Sequence, residues 1–494
     1  MHPRLLAICD LQVAEARENA GLHDRYDGVV QDLSPAGVSA GLAGLGAGRA
    51  PAGHEGEQVE AVEAGLRATY QLVEDHRRNP LVHLGNLDLA CYDRTYAPAP
   101  ERARARAAHL AAWPTAVDAA IESLDRVPRP VAQSLLGAVR GLAVGVDDDA
   151  ALAAHGRLVR HVEGFASDGD PDASLGAERL RSLMQAPEAV ELDLGVLAQT
   201  ADDERDRLKA RLAECADRLS PGTPLPALVA SLLADHPTAE GIYDEARQQI
   251  TEVTAFTIEH DLLGEPGGEC LVGPAPPSRR WAMAMMSWAA PYEADAPSWY
   301  HVTPPDASWP AEDQEVWLSV FSRTTLPAIT VHEVTPGHYA HGRMLRRLKS
   351  DVRRTLLSDS FIEGWAHYTE ELFVEEGFRA DDPRFAIGVS IEALVRVTRL
   401  TCAIGLHSGA MSFDEAVARF EDDAFYQGPA ARAEAGRATY DPTYGRYTWG
   451  KLEILRLRGE AQARWGRRYS HRRFHDALLG LGAPPLGLMG AIFD

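Results

Sequence analysis

His332, Glu333 and His338 place two imidazoles and a carboxylate within seven positions, in the segment Val331-His332-Glu333-Val334-Thr335-Pro336-Gly337-His338-Tyr339. Imidazole and carboxylate are the donor types a catalytic zinc takes, and a carboxylate beside such a site can draw a proton from water. The spacing differs from the H-E-x-x-H helix, whose two histidines stand one turn apart. At about 100° per residue, six residues leave His332 and His338 roughly 240° apart on a regular helix. On an unbroken helix the two could not share an ion. Pro336 and Gly337 lie between them, and proline ends or kinks a helix. The segment therefore predicts a helix broken at Pro336-Gly337, with His338 returned to the side of His332.

A catalytic zinc usually takes three protein donors and keeps one position for water. The next acidic island is Phe361-Ile362-Glu363-Gly364-Trp365-Ala366-His367-Tyr368-Thr369-Glu370. Its apolar residues recur at helical spacing, so Glu363, His367 and Glu370 share one face. In one reading Glu363 is the third ligand, and His367 and Glu370 orient the metal histidines. In the rival reading the three are a solvated polar face. His341, three residues after His338, is either a further donor or an ordinary histidine. Glu333 is the expected general base. The run from Tyr440 to Lys451 is rich in hydrogen-bond donors. Tyr447 is the candidate there for stabilising a tetrahedral intermediate, with Tyr444 and Arg458 as candidate supports.

The elements that must position these groups read mostly as helices. Apolar residues recur at threes and fours over 57–78, 237–262, 384–410, 449–465 and 470–480. Ser412 with Glu415 forms a capping box before 413–426. Pro114, Pro128 and Pro130 are read as breaks, residues 35–56 as a flexible Gly/Ala/Pro loop, and 428–446 as a polar segment marked by Gly and Pro. The texture changes at Gly264-Glu265-Pro266-Gly267-Gly268, and aromatic-rich runs follow. The expected fold is mainly α, a multi-helical shell around a metal cleft with a small β excursion over about 263–308. A helical N-terminal region (1–262) and a metal-site region (263–494) are expected to pack as one unit.

Composition narrows the function classes. A formal net charge of −23 disfavours nucleic acid and anionic membrane as partners. No apolar run reaches the length of a membrane-spanning helix. The five cysteines are scattered with no C-x-x-C pair, which suits a reducing cytoplasm and argues against a cysteine zinc site. No secretory signal is read at the N-terminus, so a cytoplasmic protein is expected.

His332-Glu333-Val334-Thr335-Pro336-Gly337-His338 and Glu363-Gly364-Trp365-Ala366-His367-Tyr368-Thr369-Glu370 resemble the paired H-E-x-x-P-G-H and E-G-W-A-x-Y-x-E segments of the domain of unknown function 885 family. Tyr447-Thr448-Trp449-Gly450-Lys451, Leu457-Arg458 and Phe474-His475-Asp476 are similar to its C-terminal region. The resemblance implies a helical, gluzincin-like zinc peptidase or amide hydrolase, with His332, His338 and Glu363 as ligands and Glu333 as base. Two positions depart from the family pattern: Tyr339 stands where a second histidine is common, and His367 where a leucine is. The leading expectation is a zinc-dependent hydrolase of a small peptide or other amide. The alternatives are a narrow-specificity metabolite amidase or lyase, and a binding protein that keeps the metal without turnover.

Overall fold

The computed structural model describes residues 1–494. Twenty-four α-helices and three short strands give a mainly α architecture with one small sheet. The sheet lies within the expected β excursion: β1 (Cys270–Pro274), β2 (Ala284–Ser287) and β3 (Ser298–Val302). β3 is central, parallel to β1 and antiparallel to β2. Along β3, Ser298, Tyr300 and Val302 are buried while Trp299 and His301 are half-buried, the alternation of a sheet with one covered face. Tyr300 and Val302 pack in a cluster with Leu326, Ile329 and Val334, so the sheet backs the segment that carries His332.

Three local expectations are corrected. Residues 35–56 are not all loop, because a helix runs Pro35–Gly44. Ser34 caps it by accepting from the Gly37 amide at 3.1 Å, Pro35 sits in its first turn, and Val38 is buried beneath it. A cap and a first-turn proline start a helix that composition alone conceals. Pro114 is no break: it lies inside the helix Ala99–Ser123, between the buried Trp113 and Val117. Packing outweighs the lost hydrogen bond there. Residues 428–446 contain the helix Gly428–Tyr440. Its alanines at 430, 431, 435 and 438 are buried at helical spacing, and alanine is the strongest helix former. The Ser412–Glu415 capping box forms as expected.

The two halves of the chain share their cores. One cluster joins Leu180, Leu208 and Leu212 to Phe361, Trp365, Leu394 and Leu457; another joins Leu84, Trp113 and Leu158 to Tyr440. Lys451 is fully buried and donates to Glu204 at 2.6 Å and Glu371 at 3.0 Å. The ion-paired carboxylates thus come from helices on either side of the 262/263 junction.

The helix Asp359–Glu375 packs along Arg446–Trp465 with two glycines at the crossing. A Cβ added at Gly364 would stand 2.4 Å from the Gly450 carbonyl carbon, and one at Gly450 would stand 2.0 Å from the Ser360 oxygen. The obstacles are backbone atoms, so the helices themselves would have to part. Gly364→Ala is expected to lower stability by about 1–3 kcal/mol, read as a fall in the urea midpoint. An unchanged midpoint would mean the crossing has slack that the contacts deny.

Candidate metal centre

The break predicted at Pro336-Gly337 is present. One helix runs Leu326–Glu333 and the next starts at His338. All eight residues of the first are buried, so it is a core element and not an amphipathic surface helix. The chain folds back so tightly that a Cβ on Gly337 would lie 1.9 Å from the His332 carbonyl oxygen. Only glycine fits there. The turn is fixed from both sides: the Ala340 amide donates to Val334 O at 3.0 Å, and Trp365 Nε1 donates to Pro336 O at 2.9 Å. The His332 and His338 rings end 4.6 Å apart between centroids, at 85°.

Glu363 completes the convergence. Its Oε2 lies 3.3 Å from His332 Nε2 and 3.3 Å from His338 Nε2, yet it has no hydrogen-bond partner. Two donors each about 2.0–2.1 Å from a tetrahedral zinc stand about 3.3–3.4 Å from one another. The spacing of these atoms, and the absence of hydrogen-bond geometry between them, therefore fit donors aimed at a shared cation. Burial opposes ionisation of Glu363, but His338 and His332 outweigh it and hold the carboxyl well below the usual range. Donor atoms of Glu333, His332 and His338 lie within 4.8 Å of one another. Glu333 is 5% exposed and its Oε2 has no partner. Burial pushes its carboxyl up to about 7, against the pull of His338. A group at that distance and pKa is placed to exchange a proton with a water at the centre.

Behind the histidines lies a buried carboxylate relay. His332 Nδ1 is 2.7 Å from Glu370 Oε1, and Arg396 Nη2 is 3.1 Å from the same oxygen. Burial opposes the Glu370 charge, and Arg396 and His367 more than offset it, so its carboxyl is held below the ordinary range. With Nδ1 bonded to a carboxylate, His332 presents Nε2 to the centre. Glu370→Gln is expected to weaken metal affinity about 10- to 100-fold with the fold retained, measured by competition against a chelating dye. Wild-type affinity in that variant would remove Glu370 from the design. His367 is 1% exposed and its Nδ1 stands 3.4 Å from Glu370 Oε2.

Tyr447 reaches the centre's edge. Its ring lies 6.1 Å from that of His332 and 21° from parallel, and its hydroxyl accepts from Arg437 Nη2 at 3.3 Å. Its proton remains free to be donated. Tyr444 and Arg458 are not brought there. The Tyr444 hydroxyl donates to Glu434 O at 3.2 Å. Arg458 pairs with Glu375 at 2.7 Å, twelve residues beyond Glu363 and so about 18 Å along the helix. His341 is a core histidine: Nε2 lies 3.0 Å from Gly482 O, and burial pushes its pKa down to about 4. Tyr339 donates to Gly267 O at 2.6 Å, tying the second histidine helix to the turn before β1.

Sequence reasoning missed the arginines around Tyr447. Arg399 and Arg437 lie 4.8 and 5.8 Å from its ring centroid, and Arg396 supports Glu370. A signal existed: Glu392, Arg396 and Arg399 recur at helical spacing within the otherwise apolar helix Pro383–Ser408, and charges on a buried face have to meet partners.

A family model described as "Bacterial protein of unknown function (DUF885)" matches residues 15–492. No curated protein matches the chain. Among solved structures, a candidate lipoprotein of unknown function from Shewanella oneidensis is similar with a TM-score of 0.74 and 20% identity, over 99% of this chain and 98% of that one. A candidate lipoprotein from Colwellia psychrerythraea is similar with a TM-score of 0.77 and 16% identity, over 99% and 97% of the two chains. At these identities the likeness is one of fold. No helix of the chain is long and apolar enough to cross a membrane.

Proposed function

The chain belongs to the DUF885 family of bacterial proteins of unknown function, and from the geometry of its own residues we propose that it is a zinc-dependent hydrolase of a peptide or other small amide. The observation that carries this reading is the unpartnered Glu363 Oε2, 3.3 Å from two imidazole nitrogens, beside the buried and unpartnered carboxylate of Glu333. His332, His338 and Glu363 would hold the ion. When bound, it supplies Lewis acidity to a water and to the scissile carbonyl. Glu333 takes the proton of the attacking water and delivers it to the departing nitrogen as the C–N bond breaks, giving a carboxylic acid and an amine. The Tyr447 hydroxyl donates toward the oxygen on which negative charge develops, and its contact with Arg437 leaves that proton available.

The test is metal analysis of protein purified without chelator, followed by digestion of a mixed peptide library. One equivalent of zinc and hydrolysis that ceases on chelation are expected. Protein that never binds a divalent ion would end the proposal. Cleavage of one metabolite conjugate with the library untouched would narrow it to a specialised amidase. We place the protein in the cytoplasm because all five cysteines are unpaired. Two structural relatives are described as candidate lipoproteins, so fractionation of the native host tests this placement: recovery in the soluble pool is expected, and recovery with membranes would refute it.

A further inference from the structure

Arg399 and Arg437 flank Tyr447, with guanidinium carbons 4.8 and 5.8 Å from the centre of its ring. Each is pinned along one edge by a carboxylate. Glu434 takes Nε and Nη2 of Arg399 at 2.7 Å each. Asp441 takes Nε of Arg437 at 3.1 Å, and Nη2 of that arginine donates to the Tyr447 hydroxyl at 3.3 Å. In both residues Nη1 is left over. It has no protein partner, and it is not walled in as Nε of Arg396 is.

Both arginines stay 9% open to water, and the opening is internal. Arg399 lies in the run 387–400 and Arg437 in the run 434–440, and every residue of both runs is buried. The surface these arginines keep is therefore turned to a space inside the fold. That space adjoins the centre, because the Tyr447 ring lies 6.1 Å from the His332 ring. Water reaches the centre as well, at 22% of the Glu363 side chain.

The charges around Tyr447 are met in pairs. Arg396 faces Glu370 and Glu392, and Arg399 faces Glu434. Asp441 faces both Arg437 and Arg446, and Arg446 also reaches the exposed Asp359 at 3.3 Å. No cation is surplus, so the two arginines offer unspent N–H groups and not a net charge. Two such donors, held in place by their carboxylates, suit the two oxygens of a monoanion. A dianion such as phosphate would arrive uncompensated.

We propose that Arg399 and Arg437 receive a carboxylate of the substrate, so that the amide cleaved is an N-acyl amino acid or short peptide with an acid group beside the scissile bond. The Tyr447 hydroxyl sets the spacing: it touches Arg437 and donates toward the oxyanion of the same substrate. This names the substrate class of the hydrolase proposed above and rests on that reading.

The test uses the full chain and two pairs of acetylated dipeptides. One pair differs only at the C-terminus, free acid or carboxamide. The other keeps the carboxamide and differs in its last side chain, glutamate or glutamine. Binding is measured calorimetrically on chelator-treated protein, where no metal can hold an acid, and kcat/KM on zinc-loaded protein. The acid member of one pair is expected to bind about tenfold or more tightly, and to show the higher kcat/KM through a lower KM. Preference within the first pair assigns a terminal carboxylate, and within the second a side chain. Arg399→Lys and Arg437→Lys keep a positive charge opposite Glu434 and Asp441 but withdraw Nη1. Each is expected to erase most of the preference with zinc content unaltered. Should either substitution unfold the chain, the other variant and the parent's own pairs decide. Equal binding within both pairs, or a preference that survives both substitutions, would overturn the carboxylate site and leave the hydrolase standing wherever cleavage continues. A preference present with zinc and absent without it would overturn the site too, because the metal would then be the receptor. Acid-selective binding that vanishes in the two variants, with no peptide cleaved, keeps the site while the hydrolase falls.

Discussion

Glu333→Gln protein is expected to carry its metal and to cleave its amide substrate about 10²- to 10⁴-fold more slowly than the parent. Glutamine keeps the shape of the side chain but cannot accept the proton of the attacking water. The ligand set should not suffer, because Glu363 Oε2 stands at ligand spacing from both imidazoles. The substitution also separates two roles for Glu333, whose oxygens share a neighbourhood within 4.8 Å of both histidines. If Glu333 were itself a ligand, the variant would lose zinc along with activity. Turnover at the parent rate, with zinc bound, would dismiss it as the base. The informative measurement is therefore paired: zinc per chain by elemental analysis and kcat on the same preparation.

Lys451→Ala is expected to destabilise the fold by roughly 3–5 kcal/mol, the cost of breaking a buried ion pair from one side. The chain holds three lysines, at 209, 349 and 451, and Lys451 is wholly buried between Glu204 and Glu371. Burial opposes the charge on Glu371, and Lys451 is the first of the cations that outweigh it. Arg207 at 2.7 Å and Arg211 at 2.8 Å also hold Glu371. Those arginines should bring the loss to the low end of the range. Urea unfolding followed by tryptophan fluorescence would reveal it as a lowered midpoint. A midpoint matching the parent would show that the arginines alone neutralise both carboxylates.

The centre was legible where chemistry and chain geometry are both local. His332 and His338 could be paired across Pro336-Gly337 because a six-residue spacing on a helix forces the question of a break, and proline and glycine answer it. Glu363 and Glu370 could be placed on one face because helical spacing is written in the sequence. Arg396 and Arg399 could not be placed, because their partners Glu370 and Glu434 lie on other helices, and Arg437, which meets Asp441 four residues on, lay in a stretch read as a polar segment. Tyr444 and Tyr447 are three residues apart in the same aromatic run, and which of them turns toward His332 depends on how the helix starting at Arg446 sits against Asp359–Glu375. The helix Gly428–Tyr440 was hidden for a different reason: its glycine, proline and charges read as loop until its alanines are counted by burial.

The proposed ligands and base fall between residues 332 and 363, yet the core beneath them is built from both halves of the chain: Leu180, Leu208 and Leu212 pack with Phe361, Trp365 and Leu457, and Lys451 is paired to Glu204 as well as to Glu371. The site therefore cannot be excised as a free-standing minimal fragment. A chain started at residue 263 would lay that apolar face open to water and take one carboxylate from a buried lysine.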